Sequence, residues 1–238
     1  MAVKSIPITH GGEKRLDAVA QLNGRVFDTD PVIAYMLLEL SPQERRAYLP
    51  TYWYTLVKSA VLNQAVITEV DGWKAASVLL PPGRSVDNVV TLLRAGFLGV
   101  LWRIGIPGLK RLWCEFSGMT DNAKKKGLRG QRLYYYVFSL GTEREHRGKG
   151  EIVTYFHLAS SVDFITPTGY AKVIMREHQQ TAQAANLPIW LEATTSSSRS
   201  LYLSLGFQEV EKIVLGKGKV ATDASLQPGG PGVPMWAM

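Results

Sequence analysis

The sequence predicts an α/β fold of the α+β kind, in which a central sheet is flanked by helices. Three observations carry that expectation. Two strand-like runs, AVITEV and WKAASVLL, flank Asp71-Gly72, a residue pair suited to a tight hairpin turn. Further on, RLYYYVFSL is aromatic and β-branched enough for a buried central strand. Between it and a second apolar strand, LPIWLEAT, lies the helix-like AKVIMREHQQTAQAAN.

The elements follow in order. From Glu13 to Phe27 apolar residues recur at helical spacing (Leu16, Val19, Ala20, Val26, Phe27), and DTDP then stops the segment, because proline restricts the residue before it. A second helix opens at Ser41, with Pro42 in its first turn and Glu44 placed to complete a capping box. It runs past Pro50, kinked there, to about Val61. The hairpin comes next, and PPGRS closes its second strand. Residues 86 to 116 form one or two amphipathic helices inside a helical insert spanning 86 to 130, and a basic loop occupies 122 to 132. The central strand, its helix and LPIWLEAT lead to SSSRSLYLSL, a short helix capped by serine, and to FQEVEKIVL as the final strand. Residues 1 to 215 thus read as one domain, and 216 to 238, rich in glycine and proline, as a disordered tail.

At 238 residues, 46% of them hydrophobic and 20% charged, the chain can bury a sizeable core. Net charge is +7, yet the cations are dispersed or local (NAKKKGLRGQR, GLKRLW), whereas a nucleic-acid surface needs many on one face. No nucleic-acid partner is expected. A positive balance does help gather an anionic small molecule. Four histidines and one cysteine supply neither a zinc set nor a disulfide framework, so no metal is expected, and Cys114 reads as buried in the amphipathic segment. The first residues lack the long apolar core of a secretory signal, which argues for an intracellular, cytoplasmic protein. Within 92 to 113, Arg94, Arg103 and Pro107 break the apolar stretches and argue against a bilayer-spanning helix. A flap over a substrate pocket, or plain core, is the favoured reading there. The alternative is a membrane-surface helix, the pattern being basic and rich in Trp and Leu.

The chemistry centres on YYYVFSLGTEREHRGKG. Glycines let backbone N–H groups approach a phosphate, and a helix N-terminus adds partial positive charge. Alone, RGKG fits a solvated turn equally well. Its context differs: LPIWLEATTSSSRSLYLSLGF places a strand ending near Glu192 before a short helix with Tyr202, and Gly-Phe restarts a strand.

In these two segments the sequence resembles the GCN5-related N-acetyltransferase superfamily, and within it the fungal acetyltransferases of unassigned substrate. That family's acetyl-CoA signature is Q/R-x-x-G-x-G/A after a central strand, followed by a helix, with Tyr just before a later Gly-Phe. The hairpin also looks like the family's second and third strands, so the resemblance covers about residues 5 to 215. It implies a mixed, mostly antiparallel sheet of about six or seven strands, with acetyl-CoA as co-substrate and no metal. Backbone groups of Leu140, Gly141 and Thr142 would pair with the pantetheine arm. Arg147, Gly148, Lys149 and Gly150 would take the pyrophosphate, with Tyr170 and Ala171 completing the signature. Tyr202 would protonate the departing thiolate as general acid. Ser198 stands where the family often has asparagine, so a contact to the cofactor is carried there by a different side chain. Glu192 reads as a polar anchor before it reads as a base. Glu143 and Glu145 read as solvated, and no base stands out; ordered water can serve instead.

The signature is interrupted. Read straight on, RGKGEI puts Ile152 where a small residue is required; removal of Glu151 to Gly169, nineteen residues, restores Arg147, Gly148, Lys149, Gly150, Tyr170, Ala171 running straight into a helix. The removed segment is codable with GT and AG at its borders and keeps the frame, which points to a retained intron; a genuine loop insertion is the rival. As written, the chain is expected to bind acetyl-CoA more weakly than its excised form. The expected activity is acetyl transfer from acetyl-CoA to a small-molecule or peptide amine in a ternary complex. A non-catalytic module, disabled or repurposed by the insertion, is the alternative. Aromatic residues at 27 to 60 and 90 to 118 (Tyr35, Tyr48, Tyr52, Trp53, Tyr54, Trp102) suggest an acceptor amine on an apolar body.

Overall fold

The structure, a computed structural model, describes residues 6–148, 151–153 and 166–238. Strand β1 (Ile8–Gly11) leads through a short 3-10 turn into α1 (Leu16–Val26), α2 (Pro31–Met36) and α3 (Pro42–Leu62). The hairpin β2 (Val66–Val70) and β3 (Ala75–Leu80) precedes α4 (Val89–Ala95), α5 (Phe97–Lys110), a π-helical turn at Arg111–Ser117, and α6 (Gly118–Leu128). Strand β4 (Tyr135–Thr142) is followed by a small ribbon, β5 (Glu151–Val153) and β6 (Thr166–Thr168), then α7 (Tyr170–Ala184), β7 (Ile189–Ala193), α8 (Ser196–Ser204), β8 (Glu211–Leu215) and β9 (Val233–Ala237).

Seven strands form one sheet in the order β1-β2-β3-β4-β7-β9-β8. Every pairing is antiparallel except β4 with β7. This is the mixed, mostly antiparallel sheet flanked by helices that the sequence led us to expect.

Strand β3 is buried along its whole length because both its faces are covered. Ala76, Val78 and Leu80 join the core under α1 and α3, while Ala75 packs with Tyr170 and Ile174 of α7. The period-2 alternation of the strand thus assigns each helix layer its own set of side chains. The capping box holds: Ser41 and Glu44 bond reciprocally at the start of α3, and Pro50 lies inside that helix. A Cβ at Gly24 would meet the Pro50 ring at 3.1 Å, so glycine permits the close approach of α1 to α3.

On the α7 face, buried His178 bonds to the Ser77 hydroxyl at 2.7 Å. Burial, followed by the charge of His10, lowers its pKa from 6.5 to about 4. The unfolded chain therefore binds more protons between those values, and this contribution to stability is present above pH 6.5 and lost as pH falls toward 4. Urea unfolding is expected to show about 2 kcal/mol less stability at pH 5 than at pH 7 from this group. His178→Gln should flatten that slope; an unchanged slope would assign it elsewhere.

Four expectations are corrected. Residues 216–238 are ordered: β9 lies between β7 and β8, and Val233, Met235, Trp236 and Ala237 are buried. The glycines there serve close packing, since a Cβ on Gly230 would sit 2.3 Å from the Val220 carbonyl oxygen. The domain accordingly extends past 215, and the final strand is β9. Much of the basic 122 to 132 stretch is helix α6, where Lys126 pairs with Glu211 at 2.8 Å. Helix α8 is capped by Thr195, with Ser198 as the reciprocal partner. Cys114 is exposed on the π-helical turn.

Candidate active site

A cavity of about 650 Å³ opens where β4 and β7 part. Their parallel pairing covers only Tyr135–Val137 against Ile189–Leu191. The cause lies in β4: Val78 faces Ser139 but Leu79 faces Val137, leaving Phe138 as an extra, bulged residue. A bulge bends its strand. Beyond it, Leu140, Gly141 and Thr142 stay paired to β3 while their other edge borders the cavity. That free edge is where the sequence placed the pantetheine arm. Gly141 lies close against α1, since a Cβ there would be 3.3 Å from the Val26 side chain.

At the end of β4 the Arg147 guanidinium ties the turn down, donating to the Thr142 carbonyl at 2.9 Å and the Val26 carbonyl at 3.1 Å. Arg147 thus shapes the loop with its side chain, and Gly148, at φ +69°, borders the cavity. Lys149 and Gly150 lie outside the described residues. The ribbon pairs Glu151 with Thr168, so the chain leaves and re-enters at neighbouring points. Gly169 caps α7 without a side-chain bond; its carbonyl takes the Lys172 amide at 2.8 Å, leaving the Tyr170 and Ala171 amides for an anion, and Tyr170, Ala171 and Lys172 line the same cavity. Arg147 and Gly148 of the first half and Tyr170 and Ala171 of the second therefore line one cavity. The Tyr170 hydroxyl donates to Asp71 at 2.8 Å and anchors α7 on the hairpin.

Tyr202 lies on α8, packed edge-on against Phe207 with ring centroids 5.8 Å apart, and lines the cavity. Burial, reinforced by Glu192, raises its pKa, so the phenol holds its proton at neutral pH. Ser198 also lines the cavity, with its hydroxyl engaged by Thr195. Glu192 accepts from the Tyr136 hydroxyl and from Trp190 Nε1, each at 2.7 Å: it is a fixed carboxylate at the cavity wall. Glu143 is tied to Arg25 at the surface and borders no part of the cavity.

Several residues escaped sequence reasoning. Asp30 is buried in the wall, its Oδ1 accepting from the Val32 and Ile33 amides and its Oδ2 from the Thr194 hydroxyl. Burial raises its pKa against the effect of those bonds. The signal was present in DTDP, since Asp before Pro also opens a helix, here α2. Part of the cavity wall is aromatic, with Phe27 tilted at 34° to Trp53 at 4.8 Å and Phe138 edge-on to Trp53 at 5.9 Å. Lys124 faces it over the Tyr136 ring. Burial lowers the Lys124 pKa, but Glu192, Tyr134, Asp121 and Asp87 outweigh that and leave it raised. Of the aromatic residues named from sequence, Tyr52 and Trp53 line the cavity; Tyr35, Tyr48, Tyr54 and Trp102 do not, because they lie on other faces of their helices.

Two buried polar atoms in this wall have no protein partner, Thr142 Oγ1 and Trp53 Nε1. The opened β4 edge, the uncapped α7 terminus, Lys172 and the orphaned Thr142 hydroxyl form a set that fits a long polar ligand ending in phosphates. Among the described residues there is no group of side chains that could hold a metal ion.

No family model matches the chain. It is similar to an uncharacterized N-acetyltransferase of Schizosaccharomyces pombe, 24% identical over 200 residues, which cover 83% of this chain and 72% of that protein. Among solved structures, arylalkylamine N-acetyltransferase 2 from Aedes aegypti superposes with a TM-score of 0.59 at 14% identity, covering 99% of both chains. A putative arylalkylamine N-acetyltransferase 7 from the same mosquito gives 0.60 at 14% identity, over 98% of this chain and 86% of that one. The polyamine N-acetyltransferase of Drosophila melanogaster gives 0.53 at 14%, over 98% and 99%. These likenesses show that the chain shares the fold of those N-acetyltransferases.

Proposed function

We propose that this protein transfers the acetyl group of acetyl-CoA to the amine of a small molecule with an apolar, aromatic-sized body. The observation that carries the reading is the convergence, in one cavity, of the open β4 edge, Arg147 and Gly148, Tyr170 and Ala171, and Tyr202. Bound there, acetyl-CoA supplies an activated acetyl thioester. Backbone groups of Leu140–Thr142 align the pantetheine arm, and the α7 terminus with Lys172 neutralises the phosphates. Tyr202 donates its proton at the sulfur as coenzyme A departs, while water takes the proton shed by the attacking amine and returns one to the Tyr202 phenolate. The amine attacks directly in a ternary complex, so no covalent enzyme intermediate forms. Exposed Cys114 takes no part.

The acceptor end follows from its walls. Phe27, Trp53 and Phe138 supply an apolar slot, and Glu192, Asp87 and Asp121 line the same cavity as Lys124, which favours an ammonium there. Arylalkylamine and polyamine acetyltransferases among the structural neighbours make an amine acceptor reasonable. Coenzyme A release measured with arylalkylamine, polyamine and peptide acceptors tests this. An arylalkylamine is expected to give at least a tenfold higher kcat/KM than the others, on the order of 1.4 kcal/mol of discrimination. Preference for a polyamine would shift recognition to the carboxylates. Acetyl-CoA binding without release for any amine would make the chain a non-catalytic module.

A further inference from the structure

We propose that the outer face of α4 and α5 docks reversibly on an anionic phospholipid bilayer. The two helices divide their residues. Leu92, Ala95, Phe97, Val100, Ile104 and Gly108 face inward and are buried. On α5 Trp102 is 91% exposed, Ile106 70% and Leu98 62%, and on α4 Val90 is 58% and Leu93 49% exposed. Soluble surfaces scatter such residues singly; five exposed large apolar residues between 90 and 106 point to an interaction site.

The electrostatics select the partner. Residues 88 to 114 carry Arg94, Arg103, Lys110 and Arg111 and no carboxylate. Arg111 is turned inward to Glu39, and Arg103 stacks on Tyr48. Arg94 and Lys110 stand exposed in the last turns of α4 and α5. A second copy of the same face would set like charges against each other, which disfavours self-association. An anionic headgroup layer complements both the cations and the apolar residues, and the exposed Trp102 indole suits the headgroup boundary.

The geometry is that of a surface contact. No single helix among the described residues is long and apolar enough to cross a membrane, and α4 meets that length and apolarity only jointly with the run Phe97–Leu128, from which it is bent by 109°. Gly96, at φ +94°, makes that turn. The inner faces are committed to the protein: Leu92 and Phe97 wall the active-site cavity. Docking therefore rests on the outer residues alone and does not depend on acetyl transfer.

Co-sedimentation of the full chain with vesicles tests the proposal, using phosphatidylcholine alone and with about one third phosphatidylserine. Binding is expected to the anionic vesicles only. It should weaken about tenfold with Trp102→Glu, and similarly with Arg94→Gln plus Lys110→Gln or at high salt. These positions are exposed, so folding should survive, and circular dichroism checks that. Equal sedimentation of the parent and Trp102→Glu chains, or none with either vesicle, overturns the proposal. So does a doubling of mass in vesicle-free light scattering that Trp102→Glu abolishes, since a second copy then covers the face.

Discussion

Tyr202→Phe is expected to lower kcat for acetyl transfer at least 100-fold while leaving acetyl-CoA affinity within about twofold, the signature of a lost proton donor. The substitution keeps the ring, so its packing against Phe207 is preserved and the fold should not suffer. Burial and Glu192 already hold the phenol protonated, so no pH dependence from Tyr202 is expected around neutrality. The profile should instead report deprotonation of the amine. Stopped-flow or steady-state coenzyme A release, with calorimetric binding in parallel, separates the two parameters. An unchanged kcat would reduce Tyr202 to a wall of the cavity.

Excision of residues 151 to 169 has the second large expected effect. Joining Gly150 to Tyr170 completes the phosphate signature and runs it into the first turn of α7. Among the described residues, a short ribbon that pairs Glu151–Val153 with Thr166–Thr168 brings the two halves together. Loop closure rises slowly with length, so the ribbon can bring the halves close. Presenting several amides at once to a pyrophosphate is more demanding, and that ordering falls on ligand binding. We expect the excised chain to bind acetyl-CoA at least tenfold tighter, about 1.4 kcal/mol. Equal affinities would mean the insertion is a neutral surface loop; weaker binding would mean the ribbon builds the cradle. Genomic and transcript reads across Gly150 address the retained-intron reading, which fails if GT and AG are absent at the borders.

The hairpin, the capping box at Ser41 and the strand-helix-strand order around α7 were legible because each rests on local chemistry: a turn pair, a cap, a periodicity. The site was half legible for the same reason. Tyr202 and the motif glycines sit in local patterns, whereas Asp30 and Lys124 reach the cavity through tertiary packing that no short window records. Phe138 shows the limit most clearly. Its bulge opens the sheet, yet only the register against β3 reveals it. The C-terminal segment misled because glycine and proline there serve a tight return into the sheet rather than disorder, with Trp236 and Met235 buried between two strands.

The central claim is that Leu140–Thr142 and the N-terminus of α7 act as one acetyl-CoA site despite the segment between them. Backbone amide hydrogen exchange during an acetyl-CoA titration of the full chain tests it most directly. Protection is expected to rise together at residues 140–142 and 169–172, with one shared midpoint. Protection at only one of these segments, or at neither, would contradict it.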